Sequence, residues 1–116
     1  LVAHDSLIFQ TLLRRLLSPA YEVLATGNGA EAMNLLATRK IDALILGIGL
    51  ELLDGCSIAS YLKRERRLTL PIVFWTSNVE GSFGQYLEEC GADLVLEQGS
   101  PDSLSRLQRF LGKNLR

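Results

Sequence analysis

At 116 residues, 47% hydrophobic and 22% charged, the chain has the size of one ordinary domain and enough apolar side chain for a proper core. A formal net charge of −1 gives no general attraction to nucleic acid or to an anionic membrane, and no apolar run approaches the length of a bilayer span, so neither is expected as a partner. The two cysteines, Cys56 and Cys90, have neither CxxC nor metal-ligand spacing and read as reduced, partly buried thiols of a cytoplasmic protein.

The chain enters an apolar segment at Leu1 without Met or a basic leader, so residues 1–116 are expected to be one domain of a longer protein. Leu1-Val2-Ala3 reads as the end of a first strand, and His4-Asp5-Ser6 as the turn into a helix. In that helix Phe9, Leu12, Leu13 and Leu16 fall at i, i+3, i+4 and i+7, which predicts one buried face. Ser18-Pro19 stops it. Tyr21 to Thr26 reads as a second strand. Gly27-Asn28-Gly29 then turns the chain, Asn28 and Glu31 stand at capping-box spacing, and Ala32, Leu35 and Leu36 face the core.

The third strand is the centre of the pattern. Ala43-Leu44-Ile45-Leu46 does not alternate, as expected of a strand buried on both faces of a parallel sheet, and it runs into Gly47. A helix from about Cys56 to Arg67 places Ile58, Tyr61 and Leu62 at core spacing. Pro71 to Thr76 is a fourth non-alternating strand. Phe83, Tyr86 and Leu87 mark the apolar face of a fourth helix, weakened by Gly81 and Gly84 and ended by Gly91. Leu94 to Leu96 is a fifth strand. Ser100-Pro101 reads as N-cap and first residue of a last helix that buries Leu104, Leu107 and Leu111 and ends on Lys113 and Arg116.

Strands alternating with helices over short connections predict an α/β, doubly wound, five-stranded parallel sheet. With strand order 2-1-3-4-5, the ligand crevice of such a sheet opens where strands one and three meet. His4, Asp5 and Gly47 then share one place, flanked by Thr76 and Gln98.

Several landmarks in order resemble one family, the receiver domain of two-component response regulators: His4-Asp5 after the first strand, Asp54-Gly55 after the third, Thr76 ending the fourth and Gly91-Ala92-Asp93 opening the fifth. The resemblance covers essentially the whole chain and implies the flavodoxin-like fold. Set against the family pattern, the phosphoacceptor aspartate falls at Gly47, the active-site lysine at Gln98, the proline after it at Gly99, the first acidic residue at His4 and the aromatic switch position at Val95. These departures agree in charge. Without a central carboxylate, a lysine at position 98 is an unpaired ammonium, which glutamine avoids, and His4 in place of an acid lowers the negative charge further.

His4 is read as a neutral imidazole hydrogen-bonded at a strand end. Asp5 alone supplies too few oxygens for Mg²⁺, so neither metal nor cofactor is expected. Thr76 is read as a turn cap and Trp75 as core. The run Lys63 to Arg67 is a solvated helix end. Gly47-Ile48-Gly49 does not lead into a helix as a phosphate-binding loop would. No constellation for enzyme chemistry is present, and an enzyme is not expected.

The expectation is a phosphorylation-independent signalling module that binds an attached output domain or another signalling protein, with homodimerisation open. The face of the fourth and fifth helices with strand five, including Phe83, Tyr86, Val95 and Gln98, is the surface the resemblance implies. The alternative is a small-molecule sensor with its ligand in the crevice near Gly47.

Overall fold

The first strand, β1 (Val2–Ala3), pairs in parallel with both β2 (Ala25–Thr26) and β3 (Leu44–Leu46), so it lies inside the sheet although it opens the chain. β4 (Ile72–Thr76) follows β3, and β5 (Leu94–Glu97) follows β4. The sheet is five-stranded, parallel and ordered β2-β1-β3-β4-β5, the flavodoxin-like arrangement. The computed structural model describes residues 1–66, 69–77 and 83–115. Expectations resting on Arg67, Gly81 and Arg116 fall outside the described residues.

Non-alternation in the central strands has its cause in two cores. Leu44, Leu46, Ile72 and Phe74 point to one face, where they pack with Ala32, Ile58, Leu62 and Leu87. Ile45, Val73 and Trp75 point to the other, against Phe9, Leu13, Leu107 and Leu111. The first face is covered by α2 (Gly29–Thr38), α3 (Gly55–Ser60) and α4 (Phe83–Cys90), the second by α1 (Leu7–Leu17) and α5 (Ser103–Asn114). No helix among the described residues is long and apolar enough to cross a membrane.

Local chemistry sets the helix ends. Ser6 Oγ accepts from the Phe9 amide at 3.2 Å, Asn28 Oδ1 from Ala30 and Glu31 at 2.8 and 3.0 Å, and Asp54 Oδ1 from Ser57 at 2.8 Å. Each satisfies amides that a helix start leaves without partners. At the end of α4 the Ala92 amide donates to Leu87 and the Gly91 amide to Glu88, with Gly91 at φ +122°, the paired bonds of a glycine-terminated helix.

The structure corrects several expectations. The buried stripe of α1 is Phe9, Leu13 and Leu17, whereas Leu12 and Leu16 are 49% and 37% exposed. A helix lying on a sheet buries a stripe that advances by four residues, and positions 12 and 16 fall on its solvent flank. Leu35 and Leu104 are only half-buried for the same reason. α3 continues as a π-helical turn, Tyr61–Glu65, closed by the Arg66 amide on the Tyr61 carbonyl at 3.1 Å. Tyr61 is exposed, because Ala59 rather than position 61 sits beside Ile58 and Leu62 in the core. Tyr86 is half exposed on α4. The β2 ladder is confined to two residues of the expected six. α5 starts at Ser103 instead of Pro101: the Ser103 hydroxyl donates to the Glu97 carbonyl at 2.7 Å, tying its first turn to the end of β5, and Asp102 is its N-cap.

Candidate functional site

Open parallel sheets bind ligands beyond the carboxyl ends of their strands. Here the Gly47 amide donates to the Ala3 carbonyl at 2.7 Å, the His4 amide to Thr26 at 3.0 Å and the Gln98 amide to Thr76 at 2.7 Å. Positions 4, 47, 76 and 98 therefore terminate four strands along one edge.

His4 is 4% exposed. Its Nδ1 accepts from the Ser6 amide at 3.0 Å, and the ring also hydrogen-bonds the Trp75 backbone. It stands 4.3 Å from the Phe9 ring, which lies 4.9 Å from Trp75. An Nδ1 that accepts from an amide carries no proton, so the ring is the neutral Nε2–H tautomer. Burial lowers the His4 pKa, opposed by the Asp5 charge and the Trp75 carbonyl. Asp5 Oδ1 lies 3.3 Å from Nδ1 on an otherwise exposed side chain.

The imidazole is held against Gly47: a Cβ added there would meet His4 Cδ2 at 2.8 Å. The loop after Gly47 is equally confined. A Cβ on Gly55 would stand 2.1 Å from the Gly47 carbonyl oxygen, and one on Gly29 would stand 2.0 Å from that of Leu53. The Gly55 amide donates to Ile48 at 3.0 Å and the Gly29 amide to Glu51 at 2.8 Å. Only side-chain-free residues allow these backbones to approach so closely. Leu52, 82% exposed at φ +69°, marks the turn of the loop.

Thr76 is buried and Gln98 exposed. On the other expected surface, Phe83 and Tyr86 stack with ring centroids 5.9 Å apart, Val95 is partly buried against the same core, and Gln98 follows the end of β5. A cavity of about 370 Å³ lies at the opposite end of the sheet, lined by Leu1, Leu17, Tyr21, Lys40, Ile41 and Leu111 among others. Among the described residues no cluster of three or more His, Cys, Asp or Glu could hold a metal ion.

Two features escaped sequence reasoning. The Ser60 hydroxyl of α3 donates to the Cys90 carbonyl of α4 at 3.4 Å, although no spacing signals it. Leu52 adopts a left-handed conformation that its residue type does not announce.

Comparison with known proteins agrees with the fold. The family of the response regulator receiver domain matches residues 1–106. The chain is 35% identical over 95 residues to the alkaline phosphatase synthesis transcriptional regulatory protein PhoP of Bacillus subtilis, over 80% of this chain and 39% of that protein. Among solved structures, the BeF3-activated N-terminal receiver domain of Klebsiella pneumoniae RstA superposes with TM-score 0.87 at 25% identity, covering 99% of this chain and 96% of that one. The receiver domain of a histidine kinase from Syntrophus aciditrophicus gives 0.80 at 25%, covering 99% and 90%. The chain belongs to the receiver domain family of response regulators, the receivers of two-component signalling.

Proposed function

We propose that this receiver works without an aspartyl phosphate and signals through protein–protein contact. The observation carrying this reading is the His4–Gly47 pair: the residue ending β3 offers no oxygen nucleophile, and the imidazole packs against the space where one would stand. Covalent phosphoryl capture needs that oxygen. Gln98, exposed and uncharged, supplies no cation to balance a phosphoryl group. The test is intact-mass spectrometry after incubation with a small-molecule phosphodonor and Mg²⁺. No adduct is expected, and an acid-labile phosphate on any residue of the crevice overturns the reading.

Its partner is an output domain on the same polypeptide or a separate signalling protein in the cytoplasm, with a second copy as a further option. The Bacillus relative, of which this chain matches 39%, bears the name of a transcriptional regulatory protein, which favours an attached output domain. The contact surface proposed is α4 with β5 and α5, where Tyr86 stacked on Phe83 presents an aromatic with a polar tip, a side chain enriched at interfaces. Hydrogen exchange with and without the partner tests it. Protection confined to α1 would move the surface elsewhere.

A further inference from the structure

The Nδ1 atom of a neutral imidazole has one lone pair, in the plane of the ring, and bonds in one direction at a time. At His4 two groups of opposite character compete for that direction. The Ser6 amide, a donor, stands at 3.0 Å, and Asp5 Oδ1, an acceptor, at 3.3 Å. In the neutral ring the amide holds the bond, and the carboxylate oxygen faces a lone pair that offers it no proton. In the protonated ring Nδ1–H only donates, so the carboxylate takes the bond and the Ser6 N–H is left facing another N–H.

We propose that His4 and Asp5 form an acid-operated switch at the mouth of the crevice: binding of a proton moves Nδ1 from the Ser6 amide to the Asp5 carboxylate and loosens the first turn of α1. The proton comes from solvent and returns to it when the pH rises. The switch works in the same way whether or not the chain takes up phosphate. Its output is the apolar pair Leu7 and Ile8, both widely exposed on that first turn, whose presentation to another protein changes with the turn.

The surroundings of the ring direct the change onto the turn. The ring is 4% exposed and is held against Gly47, where an added Cβ would lie 2.8 Å from Cδ2, and against the Phe9 ring at 4.3 Å. Asp5, by contrast, is exposed and able to follow the proton. Ser6 is the N-cap of α1: its Oγ accepts from the Phe9 amide at 3.2 Å and its carbonyl from the Gln10 amide at 3.0 Å, so displacing its own amide disturbs both bonds. Among the described residues no charge other than that of Asp5 acts on the ring: α1 presents Phe9, Gly47 follows β3, and Trp75 of β4 stands behind Phe9. Burial, the larger influence, lowers the His4 pKa and the Asp5 charge opposes it, which sets the switch on the acid side of the ordinary histidine value.

The experiment titrates the nitrogen-15-labelled chain from pH 8 to pH 4.5 by NMR, following the His4 ring nitrogens, the amides of Ser6 to Gln10 and the methyl groups of Leu7 and Ile8, with hydrogen exchange measured on both sides of the midpoint. At high pH Nδ1 carries the signal of an unprotonated acceptor and the Ser6 amide is protected. As the pH falls Nδ1 becomes protonated, the Ser6 to Gln10 amides and the two methyl signals move with the same midpoint, and the protection factors of Ser6 and Phe9 drop by roughly tenfold, the worth of about one hydrogen bond. Amides of β3 and β4 keep their protection. Asp5→Asn lowers the His4 midpoint by roughly half a pH unit or more, since the charge that favours the proton is gone. In His4→Asn an amide oxygen accepts from Ser6 at every pH, and the movement of the α1 amides disappears. If either variant fails to fold, the titration of the parent decides. A His4 ring that titrates while the Ser6 amide stays unmoved, a ring that stays neutral throughout the range, a midpoint unchanged in Asp5→Asn, or amide movements spread evenly over the chain overturns the proposal.

Discussion

The side chain of His4 stands against the space that a side chain on Gly47 would need, since a Cβ there would lie 2.8 Å from His4 Cδ2. Overpacking of this kind costs about 1–3 kcal/mol, so Gly47→Ala should destabilise by that amount. In a His4→Ala background the same change should cost much less, giving a coupling of at least about 1 kcal/mol. Urea melts of the parent and three variants measure it. Additivity would show that the two positions do not meet.

His4 also predicts a pH dependence. Its folded pKa is lowered, chiefly by burial, so the unfolded chain binds a proton more readily than the folded one. Its contribution to stability is present above the unfolded value of about 6.5 and is lost as pH falls below it. The measurement is therefore a comparison: the loss of stability between pH 7.5 and pH 5 should be smaller in His4→Asn than in the parent. As the chain has one histidine, its NMR titration assigns the effect directly, and a pKa at or above the ordinary histidine value would contradict the geometry.

Leu52 sits at φ +69° with its side chain 82% exposed. A left-handed conformation costs an ordinary L-residue about 1–2 kcal/mol, and asparagine tolerates it better. Leu52→Asn should thus stabilise the domain by roughly 0.5–1 kcal/mol, since little packing is lost. A lower urea midpoint would show that the leucine makes a contact in solution.

Two glycines flanking that turn should respond in opposite directions to alanine. Gly55→Ala drives a Cβ to 2.1 Å from the Gly47 carbonyl oxygen, a backbone atom that cannot swing away, and should cost about 3 kcal/mol or more. Gly49 has nothing within 4 Å of its Cβ position and no positive φ. Gly49→Ala should stabilise by about 0.4–1 kcal/mol through the unfolded chain. Thermal melts of the two variants side by side decide it.

Much of this molecule could be read from residues close together in the chain. The non-alternating runs at Leu44 to Leu46 and Ile72 to Thr76 mark strands covered on both faces, because only such strands have no solvent side to leave polar. Asn28 and Asp54 cap α2 and α3, and Gly91 closes α4, because capping depends on amides two to five residues away. Right-handed crossovers between parallel strands followed from the short helical connections, whereas the order 2-1-3-4-5 is that of the flavodoxin-like fold which the family resemblance implies. The sequence also placed a glycine at the carboxyl end of β3, a fact about residue type that needs no coordinates.

What fills the space beside that glycine was a tertiary decision. The residues that meet there come from β1, α1, β3 and β4, and the way the His4 ring turns depends on an amide at Ser6, a carbonyl at Trp75 and the face of Phe9. The exposure of Leu12 and Leu16, the start of α5 at Ser103 and the hydrogen bond from Ser60 to Cys90 share that cause. Periodicity says that a helix has an apolar face. The line along which that face touches its neighbour is set by how two elements cross, and this is an interaction between residues that the chain order keeps apart.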